Sequence, residues 1–225
     1  MDLLLDSSFL SVQQAVQSFL TDEEANHISE QFSGDSWRPN RQVLWESVRH
    51  PLVEQWARDH DMQTLTIALG PLAEPGHPKC LRANMPKSRV STFMKGAGAL
   101  FTWFITLGSE VTIICQPPPD RFNPKHGTNF QANELPILRR AIENASLDVY
   151  MVHPDVKSAI EYRYQVWPKN NTQTWIDKYG NEAYNPQPWR KVANTPLLLS
   201  RPYFSIRLES DSDGVKFVMQ QVSKL

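Results

Sequence analysis

A chain of 225 residues with a formal net charge of −1 is long enough to bury a sizeable core without disulfides or a structural metal, and it lacks the global excess of base expected of a dedicated nucleic-acid binder. Its two cysteines, Cys80 and Cys115, are too few and too distant for a disulfide framework, so a cytoplasmic or otherwise intracellular, reducing setting is expected. The start, Met1-Asp2-Leu3-Leu4-Leu5-Asp6, has no basic segment ahead of its leucines and is a poor export signal, while the most apolar stretch, 96–108, is shorter than the ~20 residues of a bilayer span; a soluble chain with no membrane segment is the reading.

Residues 1–61 carry eleven acids and four bases, whereas 62–140 carry four acids and nine bases. No carboxylate occurs between Glu74 and Glu110, where Lys79, Arg82, Lys87, Arg89 and Lys95 all fall. This polarity fits two parts of one fold that attract each other, or an anion-binding surface.

In chain order, Phe9, Val12, Val16 and Phe19 recur at helical spacing behind the capping residues Asp6 and Ser7. Thr21-Asp22-Glu23-Glu24 is a capping box, followed by the stripe Ala25, Ile28 and Phe32 and stopped by Gly34. A third helical pattern joins Trp45, Val48, Leu52, Val53 and Trp56, with Pro51 marking either a kink or a fresh helix start. From residue 62 the period shifts toward two. Strands are expected at 64–69 and 89–94, and a hairpin at 100–107 and 110–115 around Gly108-Ser109; the rival for the first arm is a buried helix over 91–107, which Gly96 and Gly98 disfavour. A helix is expected over 132–145, two strands at 147–152 and 160–167 that pair with each other, and a closing hairpin from 196–208 and 215–222.

Helices early and hairpins late give an α+β chain: N-terminal helices packed on a mainly antiparallel β-sheet or sandwich built from hairpins. A helical part, 1–61, and a mainly β part, 62–225, are expected to form one compact domain. No glycine-rich strand-to-helix turn announces a doubly wound fold.

Four groups of residues carry candidate chemistry. His77 and Cys80 are the nearest pair with zinc-ligand chemistry, but their spacing fits no zinc pattern, so no metal and no cofactor are expected. His153-Pro154-Asp155 ends a strand, where functional side chains gather, and with Arg121 and His126 supplies the polar candidates for a catalytic role; the favoured alternative for it is a turn in which Asp155 caps the next segment. Trp167, Trp175, Tyr179, Tyr184 and Trp189 are interleaved with amides and lysines, a composition that stacks on partners; the alternative is that the rings pin their own segment to the sheet, with a short helix from Thr172 to Gly180. The basic set at 79–95 is the fourth. No motif tied to a reaction is present, so the leading expectation is a non-catalytic protein that binds a protein partner or self-associates through the aromatic segment. Nucleic-acid binding through Lys79, Arg82, Lys87, Arg89 and Lys95, and an enzyme of unknown class, are the alternatives.

Overall fold

The structure, a computed structural model, describes residues 7–118, 128–144, 146–182, 203–211 and 214–222. Among them are seven α-helices: α1 (Ser7–Phe19), α2 (Asp22–Ser33), α3 (His50–Asp59), α4 (Leu65–Leu69), α5 (Lys87–Thr106), α6 (Leu135–Glu143) and α7 (Thr172–Tyr179). Four strands, β1 (Val43–Trp45), β2 (Glu110–Ile114), β3 (Asp148–Val152) and β4 (Tyr164–Trp167), form one sheet in that order. β5 (Tyr203–Asp211) and β6 (Gly214–Val222) form a separate antiparallel hairpin, as their sequence suggests.

The sheet corrects the expected architecture. β1 runs parallel to β2 and β2 parallel to β3; only β4 returns antiparallel, closing on β3 as the sequence pairing anticipates. The fold is therefore α+β with a mixed, mostly parallel sheet rather than a sheet of hairpins. Parallel neighbours need crossovers, and α3 to α5 supply the first and α6 the second.

The expected strands at 64–69, 89–94 and 100–107 are helical, and with them the hairpin at 100–115 is lost; only Glu110–Ile114 remains a strand. The physical reason lies in α5. Every residue of it from 96 to 102 is buried, so no amphipathic stripe betrays the helical period there. The threonines that seemed to alternate across a pleat instead bond back along the helix, Thr102 Oγ1 to the Gly98 carbonyl at 2.9 Å and Thr106 Oγ1 to that of Trp103 at 2.7 Å. Gly96 and Gly98 each cost a helix about 1 kcal/mol relative to alanine, but close packing requires them. A Cβ on Gly96 would lie 2.5 Å from Leu20 Cγ and 3.0 Å from Phe19 Cβ, so α1 and α5 meet at a distance only glycine allows.

Each face of the sheet has its own core. Leu44, Val111, Ile113, Cys115, Val149 and Met151 point toward α1, α2, α5 and α6. Val43, Ile114 and Val152 point the other way, onto Val53, Trp56 and Ala57 of α3. β2 is accordingly buried on both faces, with Val111, Ile113 and Ile114 around the buried Thr112. Pro51 starts α3 afresh in its first turn, leaving Trp45 on β1 rather than on the helix. The capping box of α2 forms in full: Thr21 Oγ1 accepts from the Glu24 amide at 3.2 Å and Glu24 Oε2 from the Thr21 amide at 2.8 Å. Among the described residues no helix is long and apolar enough to cross a membrane.

Candidate functional site at the carboxyl ends of the parallel strands

Open sheets with parallel strands present their ligand crevices outside the strands' carboxyl ends, where backbone direction and loops converge. Here three short segments meet: Glu46-Ser47 after β1, Cys115-Gln116 after β2, and His153-Pro154-Asp155 after β3. Pairing runs one residue beyond β1, since the Glu46 amide donates to the Ile114 carbonyl at 2.9 Å. Ser47 then turns the chain toward α3 with φ of 64°, a left-handed conformation that non-glycine residues adopt rarely and that recurs at functional sites.

Gln116 ties the three ends together. Its side chain is fully buried, and its Nε2 donates to the Ser47 carbonyl at 2.9 Å and to Asp155 Oδ2 at 2.7 Å. Both partners only accept, so the amide can face one way alone, and its Oε1 is left buried with no hydrogen-bond partner. Ser47 Oγ is likewise buried and unpartnered. Such groups cost about 1–3 kcal/mol each when left unsatisfied.

On the α5 side of the same edge lies Glu134. It ends a π-helical turn, Phe130–Glu134, in which the Leu135 amide bonds the Phe130 carbonyl, and Pro136 follows at the start of α6. Asn129 Nδ2 donates to Glu134 Oε1 at 2.6 Å, and a Cβ on Gly98 would stand 2.6 Å from that oxygen, so the glycine opens the room the carboxyl occupies. Burial pushes the Glu134 pKa up to about 7 against the Asn129 bond, with the charge of nearby Glu46 adding to the rise. A carboxyl poised there exchanges its proton at neutral pH.

His153 is placed differently from its neighbour Asp155. Its ring is wholly buried, with Nδ1 2.9 Å from the Cys115 carbonyl and Nε2 2.8 Å from the Tyr164 hydroxyl. A carbonyl can only accept, so Nδ1 carries the proton, and in the neutral ring Nε2 receives the tyrosine's. The imidazole edge rests on Trp175, 4.8 Å between ring centres, and both nitrogens are engaged in holding β2, β3 and β4 in register. Asp155 is half-buried at the edge. Arg121 and His126 lie outside the described residues.

The aromatic set is split. Trp175 is 1% exposed within the main core, stacked with Tyr164, while Trp167 and Tyr179 are half-buried against it. The short helix that the sequence suggests from Thr172 is α7, and Gly180 follows it. Tyr184 and Trp189 lie outside the described residues. Of the basic set, Arg82 donates to the Ala73 carbonyl, and Arg89 bonds the Phe19 carbonyl at 2.8 Å and pairs with Glu24. One ion pair, Arg89 with Glu24, thus joins the basic middle to the acidic first third. Lys79, Lys87 and Lys95 are exposed. His77 Nδ1 accepts from the Lys79 amide at 3.1 Å and Cys80 is half-buried; among the described residues no three His, Cys, Asp or Glu side chains gather so as to hold a metal ion.

Sequence reasoning missed Glu46, Ser47, Gln116 and Glu134. A signal exists for two of them: Glu46 directly follows the apolar Val43–Trp45 and Gln116 the mostly apolar 111–115, and both would have stood out had the strands been recognised as parallel. No protein-family model matches the chain, and no curated protein matches it.

Proposed function

We propose that the protein is an enzyme acting on a small polar substrate bound at the carboxyl ends of β1, β2 and β3, with Glu134 as the group that takes up or releases a proton. The observation that carries this reading is the Glu134 carboxyl itself. It is buried at the edge where parallel sheets receive ligands, given room by Gly98, neighboured by Glu46 and titrating near pH 7. A buried acid tuned to neutrality is what general acid–base work needs, and here it comes with an unusual helical turn of the kind often found at functional sites. The test begins with thermal-shift screening of small polar metabolites at pH 6 and pH 8. Turnover of a hit should follow an ionisation near pH 7 in the native chain and lose it in Glu134→Gln; an unaltered pH profile in that variant refutes the role.

Binding of a protein partner, or self-association, through the aromatic segment is a second reading. It is favoured by Ile176, 37% exposed on α7 beside the half-buried Trp167 and Tyr179. Light scattering over a tenfold concentration range tests self-association, which Ile176→Glu should abolish if this face is the contact. Nucleic-acid binding has less support, because the charges of Arg89 and Glu24 offset each other; affinity that falls steeply with salt would restore it.

A further inference from the structure

Resting on the reading that Glu134 takes up or releases a proton at the strand ends, we infer that Asn129 is its positioning residue, and that the π-helical turn Phe130–Glu134 serves to bring the two side chains together. The helical geometry carries the argument. At about 3.6 residues per turn, side chains five apart in an α-helix diverge by roughly 140°. Residues joined by a helix's own hydrogen-bond spacing lie one above the other instead, four apart in an α-helix and five apart in a π turn. The Leu135 amide bonds the Phe130 carbonyl across five residues, and Asn129 and Glu134 are the pair one step earlier with the same spacing. Asn129 Nδ2 accordingly reaches Glu134 Oε1 at 2.6 Å. An α-helical turn over the same residues would part them.

The amide is aimed from both ends. Asn129 Oδ1 accepts from Asn133 Nδ2 at 2.8 Å, so its nitrogen is the atom left for the carboxyl. Turned over, Asn129 would set its oxygen against an ionised Glu134, which has no proton to offer. Thr128 fixes the start of the turn, its hydroxyl accepting from the Gln131 amide at 3.3 Å. On α5, a Cβ at Gly98 would stand 2.6 Å from Glu134 Oε1 and 2.9 Å from Asn129 Nδ2, so the missing side chain leaves space for this very bond. Glu134 thus meets the charge of Glu46 from the end of β1, uncharged Gly98 from α5 and the Asn129 donor from its own turn. Burial drives Glu134 toward its protonated form, the Asn129 donor opposes this by favouring the ionised carboxylate, and the charge of Glu46 adds to the effect of burial. Asn129 therefore sets the pH at which Glu134 changes state.

The titration of Glu134 itself is the test, read by NMR from the side-chain carboxyl carbons of the full chain labelled with carbon-13 glutamate. Loss of one signal in Glu134→Gln identifies it. In the native chain its midpoint should fall at about pH 7. Asn129→Ala should shift the midpoint upward, because burial and Glu46 then act unopposed. Asn133→Ala leaves the donor in place but frees the amide to turn, so its shift should be upward and smaller; this variant decides the matter if Asn129→Ala does not fold. Turnover of a hit from the metabolite screen should follow the displaced ionisation in each variant. An asparagine that only stabilises the turn would lower the melting temperature and leave the midpoint where it was. A midpoint unchanged or lowered in the folded variants therefore overturns the inference. If native Glu134 titrates near pH 7 and only the shifts are missing, this inference falls alone and the enzyme reading stands. If native Glu134 does not titrate there, both fall.

Discussion

Replacing Glu134 by glutamine isolates the pH dependence of one buried group. Its folded pKa, about 7, lies above the 4.5 of the free side chain, so the folded state holds a proton that the unfolded state has given up between those two values. Stability therefore falls as pH rises across this window, with a slope of about 1.4 kcal/mol per pH unit for a single proton. From pH 4.5 to pH 7 the loss amounts to roughly 3 kcal/mol, an order-of-magnitude figure; the contribution is fully present below the lower value and gone above the upper one. Glutamine keeps an oxygen for Asn129 Nδ2 and cannot ionise. Urea unfolding measured from pH 4.5 to pH 8.5 should show the native chain losing roughly 3 kcal/mol more than Glu134→Gln, the variant being the more stable of the two at pH 8. Parallel pH curves for the two proteins would refute the burial argument.

Gly96→Ala should destabilise by about 1–2 kcal/mol net, since overpacking against Leu20 and Phe19 exceeds the helix-propensity gain of about 1 kcal/mol; a rise in denaturation midpoint would count against the close α1–α5 contact. Adding Leu20→Ala should relieve part of that cost, which a double-mutant cycle would report as coupling. Trp175→Ala should cost about 3–5 kcal/mol because the ring is core, so a calorimetric scan showing no loss of stability would return it to the surface. Thr21→Ala removes one half of the α2 capping box and should cost about 1 kcal/mol by urea titration; Thr21→Ser should cost little, and equal losses from both would argue that the hydroxyl is not the cap.

Elements whose stability is decided locally were legible. The α2 cap needs only Thr21 and Glu24, three residues apart. The helix over 172–179, the antiparallel pairing of 148–152 with 164–167, the second half of the expected strand 160–167, and the closing hairpin follow from spacing and turn residues close in the chain. The candidate site was legible only in part. Asp155 was singled out as the polar end of a strand, and it does lie at the edge where the parallel strands finish. Its neighbour His153 showed the same signal, yet the structure engages both its nitrogens in the core. A residue's type and position do not reveal whether its hydrogen-bonding capacity is already used.

The sequence by itself determined where the capped helix α2 begins and which segments are apolar, and its opposed acidic and basic parts are joined at one ion pair, Arg89 with Glu24. Only the tertiary structure decided whether 87–106 is helix or strand, because its central stretch, 96–102, is buried on all sides and loses the one-sided pattern that distinguishes a period of 3.6 from a period of two. It alone decided that β1, β2 and β3 run parallel, since the crossovers that force this direction include the helix the pattern hid. With the direction of those strands came the site. Glu46, Ser47, Gln116 and Asp155 are scattered over more than a hundred residues of chain and become neighbours only when three strands end at one edge.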